Sequence, residues 1–122
     1  MAKNKEEQIG NEKTMLALSF WHSVTATALH KMPLDLSSRQ TAILFHIYLM
    51  AEPQSIKLLA QDLLISKPAI CRAVDALENV KLLKRVRDKT DKRNVILQRT
   101  VKGSAYLEQF ADIIISMSKE TP

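Results

Sequence analysis

At 122 residues the chain is long enough for one domain with a buried core, and its 46% hydrophobic and 25% charged content is that of an ordinary globular protein. Two glycines and 5% aromatic residues argue against a β-sandwich and against a glycine-rich phosphate loop, and a single cysteine excludes an intrachain disulfide and points to a reducing cytoplasm. The formal charge of +5 is unevenly placed: residues 55–100 hold 11 Lys/Arg against 5 Asp/Glu, so all of the excess lies in one central block, which on charge alone is either the footprint of a polyanion partner or a solvated basic face.

In chain order, residues 1–12 read as a flexible polar tail, and the opening MAKNKEEQIGNEK has no apolar core of a secretory signal. From Lys13 to Lys31 apolar residues recur at helical spacing (Ala17, Phe20, Trp21, Val24, Ala28, widened by Leu16 and Leu29), and Pro33 ends the helix. Ser37 followed by Gln40 predicts a capping box for a helix reaching Met50 or Ala51, before Glu52–Pro53. Its apolar run TAILFHIYLMA is too short to span a membrane. Gln54 or Ser55 caps a short helix with Ile56, Leu59, Ala60 and Leu63 on one face. Ser66 caps the next, with Pro68 in its first turn, where a missing N–H costs nothing. That helix buries Ile70, Ala73, Val74 and Leu77 and leaves Lys67, Ala69, Cys71, Arg72, Asp75 and Glu78 on or near the other side. Leu82–Arg87 and Asn94–Arg99 are strand-like around the polar tip DKTDKR. Thr100 caps a final helix, 101–119, with Tyr106, Leu107, Phe110, Ile113, Ile114 and Met117 on one side.

Two short helices joined by a tight turn and followed by a hairpin make a helix-turn-helix (about 55–79) with a wing (about 82–100), in a mainly α single domain spanning 13–122. The second helix is amphipathic, so its buried face anchors it and its N-terminal turn is free to enter a major groove. The hairpin strands hold a charged tip beside it, which accounts for six basic residues between positions 85 and 100.

From Leu36 to Gly103 the pieces LSSRQTAIL, SIKLLAQDLLISKPAICRAVDALE and LLKRVRDKTDKRNVILQRTVKG resemble the multiple-antibiotic-resistance regulator (MarR) family of winged-helix transcription factors. The most specific piece is Asp91–Lys92–Arg93, with Arg85 before it and Thr100 and Gly103 after it. The resemblance implies a regulator, expected to be a repressor, that binds double-stranded DNA as a homodimer on a pseudo-palindromic operator. The two copies of Pro68–Asn79 would enter successive major grooves. It implies DNA contacts from Ser66, Lys67, Pro68, Ala69, Cys71, Arg72, Arg85, Lys89, Lys92 and Arg93, with Asp91 orienting an arginine. The terminal helices, 13–31 and 101–119, would form the dimer through Phe20, Trp21, Val24, Phe110, Ile113, Ile114 and Met117. The chain departs from the family pattern at Leu64 and Lys81, where glycine is usual, and at Arg99, where an apolar residue is usual. Pro68, Ala69 and Cys71 replace residues that are commonly Ser or Thr, which shifts contacts toward thymine methyls.

No cofactor, metal site or catalytic grouping is expected. His22 and His30 lie two helical turns apart and cannot share an ion, His46 is isolated, and no Ser/His/Asp or Cys/His spacing occurs. Cys71, without a second cysteine, reads as a packing residue rather than a redox sensor. A small-molecule effector is compatible with the pattern and unspecified by it. The rival reading is a winged helix that binds protein instead of DNA.

Overall fold

The computed structural model describes residues 10–120. The predicted tail therefore lies outside the described residues except for its last three positions. The described residues form two compact units, one of residues 36–108 and one of residues 10–35 together with 109–120.

The 36–108 unit holds the helix-turn-helix and wing. Helix α2 (Ser38–Leu49) starts on the predicted capping box: Ser37 Oγ accepts the Gln40 N–H at 3.1 Å and Gln40 Oε1 accepts the Ser37 N–H at 2.9 Å. Ser55, rather than Gln54, caps α3 (Ile56–Leu63), and Ser66 caps α4 (Lys67–Asn79). The apolar faces of these helices converge: Ile43, Leu44 and Ile47 of α2, Leu59 of α3, and Ile70, Val74 and Leu77 of α4 are all fully buried. Leu82, Leu83 and Leu97 extend this core beneath the sheet.

Both helices of the motif end without glycine. Leu64 follows α3 at φ 56°, and Ile65 N–H returns to Ala60 O at 3.2 Å. Lys81 follows α4 at φ 68°, with Lys81 N–H on Glu78 O at 2.9 Å and Leu82 N–H on Leu77 O at 3.0 Å, a Schellman pair. An L-residue therefore occupies the left-handed region at both turns, at a steric cost that glycine avoids.

The sheet has one more strand than the hairpin alone. Strand β1 (Gln54–Ser55) pairs antiparallel with β3 (Val95–Arg99), which pairs with β2 (Leu83–Arg87), in the order β1-β3-β2. Gln54–Ser55 carries no strand pattern of its own; it becomes a strand because Leu97 and Ile96 stand opposite it.

Helix α5 (Val101–Glu120) begins on Thr100, whose Oγ1 accepts the Gly103 N–H at 3.0 Å and donates to Lys81 O at 2.7 Å. Gly103 has no room for a side chain: a Cβ there would collide with the Tyr48 hydroxyl and the Leu82 carbonyl oxygen. In the other unit, α1 (Glu12–Lys31) is capped by Asn11, which accepts the Thr14 N–H at 3.0 Å. Gln109 Nε2 donates to Lys31 O at 3.0 Å, tying α1 to the later turns of α5. Val24 and Ile113 are buried within the chain (0% and 6% exposed), which corrects their assignment to an intermolecular surface; Phe20, Phe110, Ile114 and Met117 are half-buried. Trp21 is 48% exposed, and with Met15, Leu18 and Leu29 it marks an apolar outer stripe on α1.

Candidate nucleic-acid interface

The exposed face of α4 starts at its cap. Ser66 Oγ accepts the Ala69 N–H at 3.4 Å, and Lys67 and Pro68 in the first turn are exposed. Arg72 is exposed one turn on, and among the described residues no ion pair engages it. It lines a shallow groove with Ser37–Gln40 at the start of α2 and with Ala69 and Ala73. Cys71 is half-buried. Ala69 is only 6% exposed, so the sequence assignment of Ala69 to the contact face is corrected: one residue past Pro68, the helix has already turned it into the core.

Arg85 also needs correction. Its side chain is 28% exposed, and both ends of its guanidinium are occupied: Nη2 lies 2.5 Å from Asp75 Oδ1 and Nη1 lies 2.8 Å from Glu78 Oε1. Glu78 also accepts the Arg85 backbone N–H through Oε2 at 2.9 Å. This carboxyl is held below its usual range, first by the bond from the Arg85 backbone N–H and then by the guanidinium. Partial burial acts against the Arg85 charge, but the Asp75 and Glu78 carboxylates outweigh it and keep the guanidinium more basic than usual. Arg85 is therefore a clamp from β2 to the outer face of α4, rather than a free cation. Asp75, three positions after Arg72 on α4, holds Arg85 through Oδ1.

The wing tip is built from its own acids. Asp88 N–H donates to Asn94 O at 3.0 Å, and Asp88 Oδ1 accepts Thr90 N–H at 3.0 Å and Thr90 O–H at 2.9 Å. The backbone bond from Thr90, followed by its hydroxyl, lowers the Asp88 carboxyl below its ordinary value. Asp91 Oδ1 accepts the Arg93 backbone N–H at 3.1 Å and its Nε–H at 3.3 Å. Arg87 Nη1 donates to Lys92 O at 3.1 Å across the tip. Lys89, Lys92 and Arg93 project outward, Arg93 with 92% of its side chain exposed.

Sequence reasoning missed two neighbours of this face. Lys57 of α3 shares a groove of about 440 Å³ with Lys67, Arg93 and Asn94, between the helix-turn-helix and the wing. Arg39, in the first turn of α2, lines the groove beside Arg72. A helix-wheel position places neither against another element, so no signal in the linear sequence marked them. Among the described residues no group of His, Cys, Asp and Glu could hold a metal, and no helix is long and apolar enough to cross a membrane.

The fold is that of several solved regulators. The Staphylococcus aureus MepR–DNA complex superposes with a TM-score of 0.74 at 20% identity, covering 87% of this chain and 84% of that one. MepR described as a transcription regulator of the multidrug efflux pump MepA of the same organism gives 0.71 at 18% identity, covering 91% and 82%. The transcriptional regulator Tm0710 from Thermotoga maritima gives 0.72 at 24% identity, covering 89% and 75%. At these identities the likeness establishes the fold. No curated protein sequence matches the chain significantly. The profile of the MarR family matches residues 34–94, half of the chain and the whole helix-turn-helix with the wing tip. The chain thus belongs to the MarR family, whose members are transcriptional regulators and not enzymes.

Proposed function

We propose that the chain is a sequence-specific double-stranded DNA-binding repressor that acts in the cytoplasm as a homodimer on a pseudo-palindromic operator. The observation that carries this reading is the cation set around α4: Lys67 and Arg72 on its exposed face, Lys57 beside it, and Lys89, Lys92 and Arg93 on the tip. A helix presented this way can read base edges in a major groove, and an exposed arginine on a narrow hairpin suits a minor groove. The MepR–DNA complex, with the same fold, supports the choice of duplex DNA. The dimer reading is supported by Met15, Leu18, Trp21 and Leu29 on α1 and Ile115 on α5, all large apolar side chains between 48% and 68% exposed. A small-molecule effector is consistent with the family and has no residue assigned to it.

The test is selection of bound duplexes from a random pool. The expected result is an inverted repeat whose half-sites lie about one helical turn apart, bound with an affinity that falls steeply as salt rises. Enrichment of no sequence, with salt-insensitive binding to a protein partner instead, would move the protein-interaction reading ahead.

A further inference from the structure

Arg99 ends β3 and sits where the resemblance leads one to expect an apolar residue. Its guanidinium is partly exposed and is held through Nε and Nη2. Nε donates to Ile47 O at 3.0 Å, Nη2 donates to Met50 O at 3.0 Å, and Nε lies 3.1 Å from Glu52 Oε1. Its Cζ stands 5.8 Å from the centre of the Tyr48 ring. Ile47 and Met50 belong to the last turn and cap of α2, where carbonyls lack helical partners and the helix end is negative. The next residue reinforces the joint: Thr100 N–H donates to the Tyr48 hydroxyl at 2.9 Å, and that hydroxyl donates to Leu82 O at 2.7 Å.

We infer that Arg99 is a positioning residue for the wing, fixing the base of β3 to the carboxyl end of α2 so that the tip is held at a set angle to α4. The inference rests on the reading of the wing as a DNA contact. β3 is the central strand of the sheet, paired on both sides, so its base sets the direction of the whole hairpin. Helix α2 in turn packs on α4. Arg93 lies up to about 20 Å from Arg99 at the rise of a strand, so a tilt of about 5° at the base moves the tip by about 2 Å, enough to break a hydrogen bond to a phosphate. Arg85 holds the edge strand β2 to α4, whereas Arg99 holds the central strand to α2. Two anchors at different points restrict rocking of the sheet to the line that joins them, and loss of either one frees the other directions.

A helix cap that merely stabilises would leave the wing angle unchanged in the folded protein, and the test separates these roles. Spin labels at Arg39→Cys and Lys92→Cys in a Cys71→Ser background, with labelled chain diluted into unlabelled, report the distance between α2 and the tip. Arg99→Met keeps the stem over Tyr48 and removes the donors; it is expected to widen that distance distribution. Arg99→Lys serves one carbonyl only and is expected to widen it less, which covers the case in which Arg99→Met does not fold. An unchanged width in whichever variant folds overturns the proposal. The second arm is a double-mutant cycle on the best selected duplex. Arg93→Ala is expected to weaken binding about tenfold in the wild type, but less than about threefold when Arg99 is already Met, because the displaced tip has little left to lose. Equal losses in both backgrounds overturn the proposal. If the wild type binds no duplex, the DNA reading falls, and the distance measurement, which needs no DNA, alone decides the role of Arg99.

Discussion

The arginines of the basic segment 85–99 look alike in the sequence and differ in what they touch. Arg85 and Arg99 are strapped to the protein, Arg87 closes the tip on Lys92 O, and Arg93 faces solvent with Asp91 against its Nε. Charge at the base therefore serves the fold, and charge on the tip faces solvent. The Arg85 clamp has a pH signature. Glu78 titrates below its ordinary value in the folded chain, so its contribution is complete above the ordinary carboxylate range and is lost as pH falls through the lowered value. Glu78→Gln is expected to lower the melting temperature by a few degrees at neutral pH and to flatten the acid limb of a melting-temperature profile. An acid limb as steep as that of the wild type would mean that Glu78 does not carry the acid loss. Lys67, Arg72 and Arg93 were legible as contact candidates because cap position and helical phase depend on local sequence. Ala69 and Arg85 were misplaced because burial and pairing depend on what packs alongside.

At the scale of elements, the turns rather than the helices carry the strain. Leu64 has a left-handed backbone and is 90% exposed, so its side chain gains almost nothing from packing. Leu64→Gly is expected to stabilise the chain by about 1 kcal/mol, the left-handed penalty less the added chain entropy of glycine. Urea denaturation reads the change, and a loss of stability would mean that the leucine stem covers apolar surface. Gly103 is the opposite case. Gly103→Ala drives a methyl into the Tyr48 hydroxyl and the Leu82 carbonyl oxygen, and it is expected to cost about 1–3 kcal/mol through overpacking. Tyr48→Phe relieves little of this, since the Leu82 oxygen remains. Helix limits were readable from caps and prolines to within a residue or two, because those signals are local. Strand β1 was not, because two residues have no periodicity and their partner lies about forty positions away.

For the whole molecule, the proposed function assigns different readouts to the wing and to α4. Arg72→Ala is expected to cost about 1–3 kcal/mol on the preferred operator and to flatten discrimination at one or two base positions. Arg93→Ala is expected to weaken many sequences by similar factors and to lower the salt slope by about one unit. Asp91→Ala should resemble a milder Arg93→Ala, since it removes the carboxylate that holds the arginine Nε. Salt titrations on the selected duplex and on a scrambled one read all three. Should Arg93→Ala leave both affinity and slope unchanged, the basic tip would be a solvated face. Assembly is tested separately by sedimentation: twice the chain mass is expected at micromolar concentration, and Trp21→Asp on the exposed stripe of α1 is expected to return the chain mass.

By itself the sequence determined the order and type of the helices, the helix-turn-helix, the charged hairpin and the family, because each depends on patterns a few residues long: capping boxes, a 3.6-residue apolar repeat, and the Asp91–Lys92–Arg93 tip. Only the tertiary structure decided which charged residues are free. Arg85 meets Asp75 and Glu78 across 7 to 10 positions, and Arg99 meets Ile47 O across 52. A cation's role depends on the nearest carboxylate or helix end in space. That distance is set when the core of Leu44, Ile70, Leu77 and Leu97 closes, and it has no counterpart in the linear order of residues.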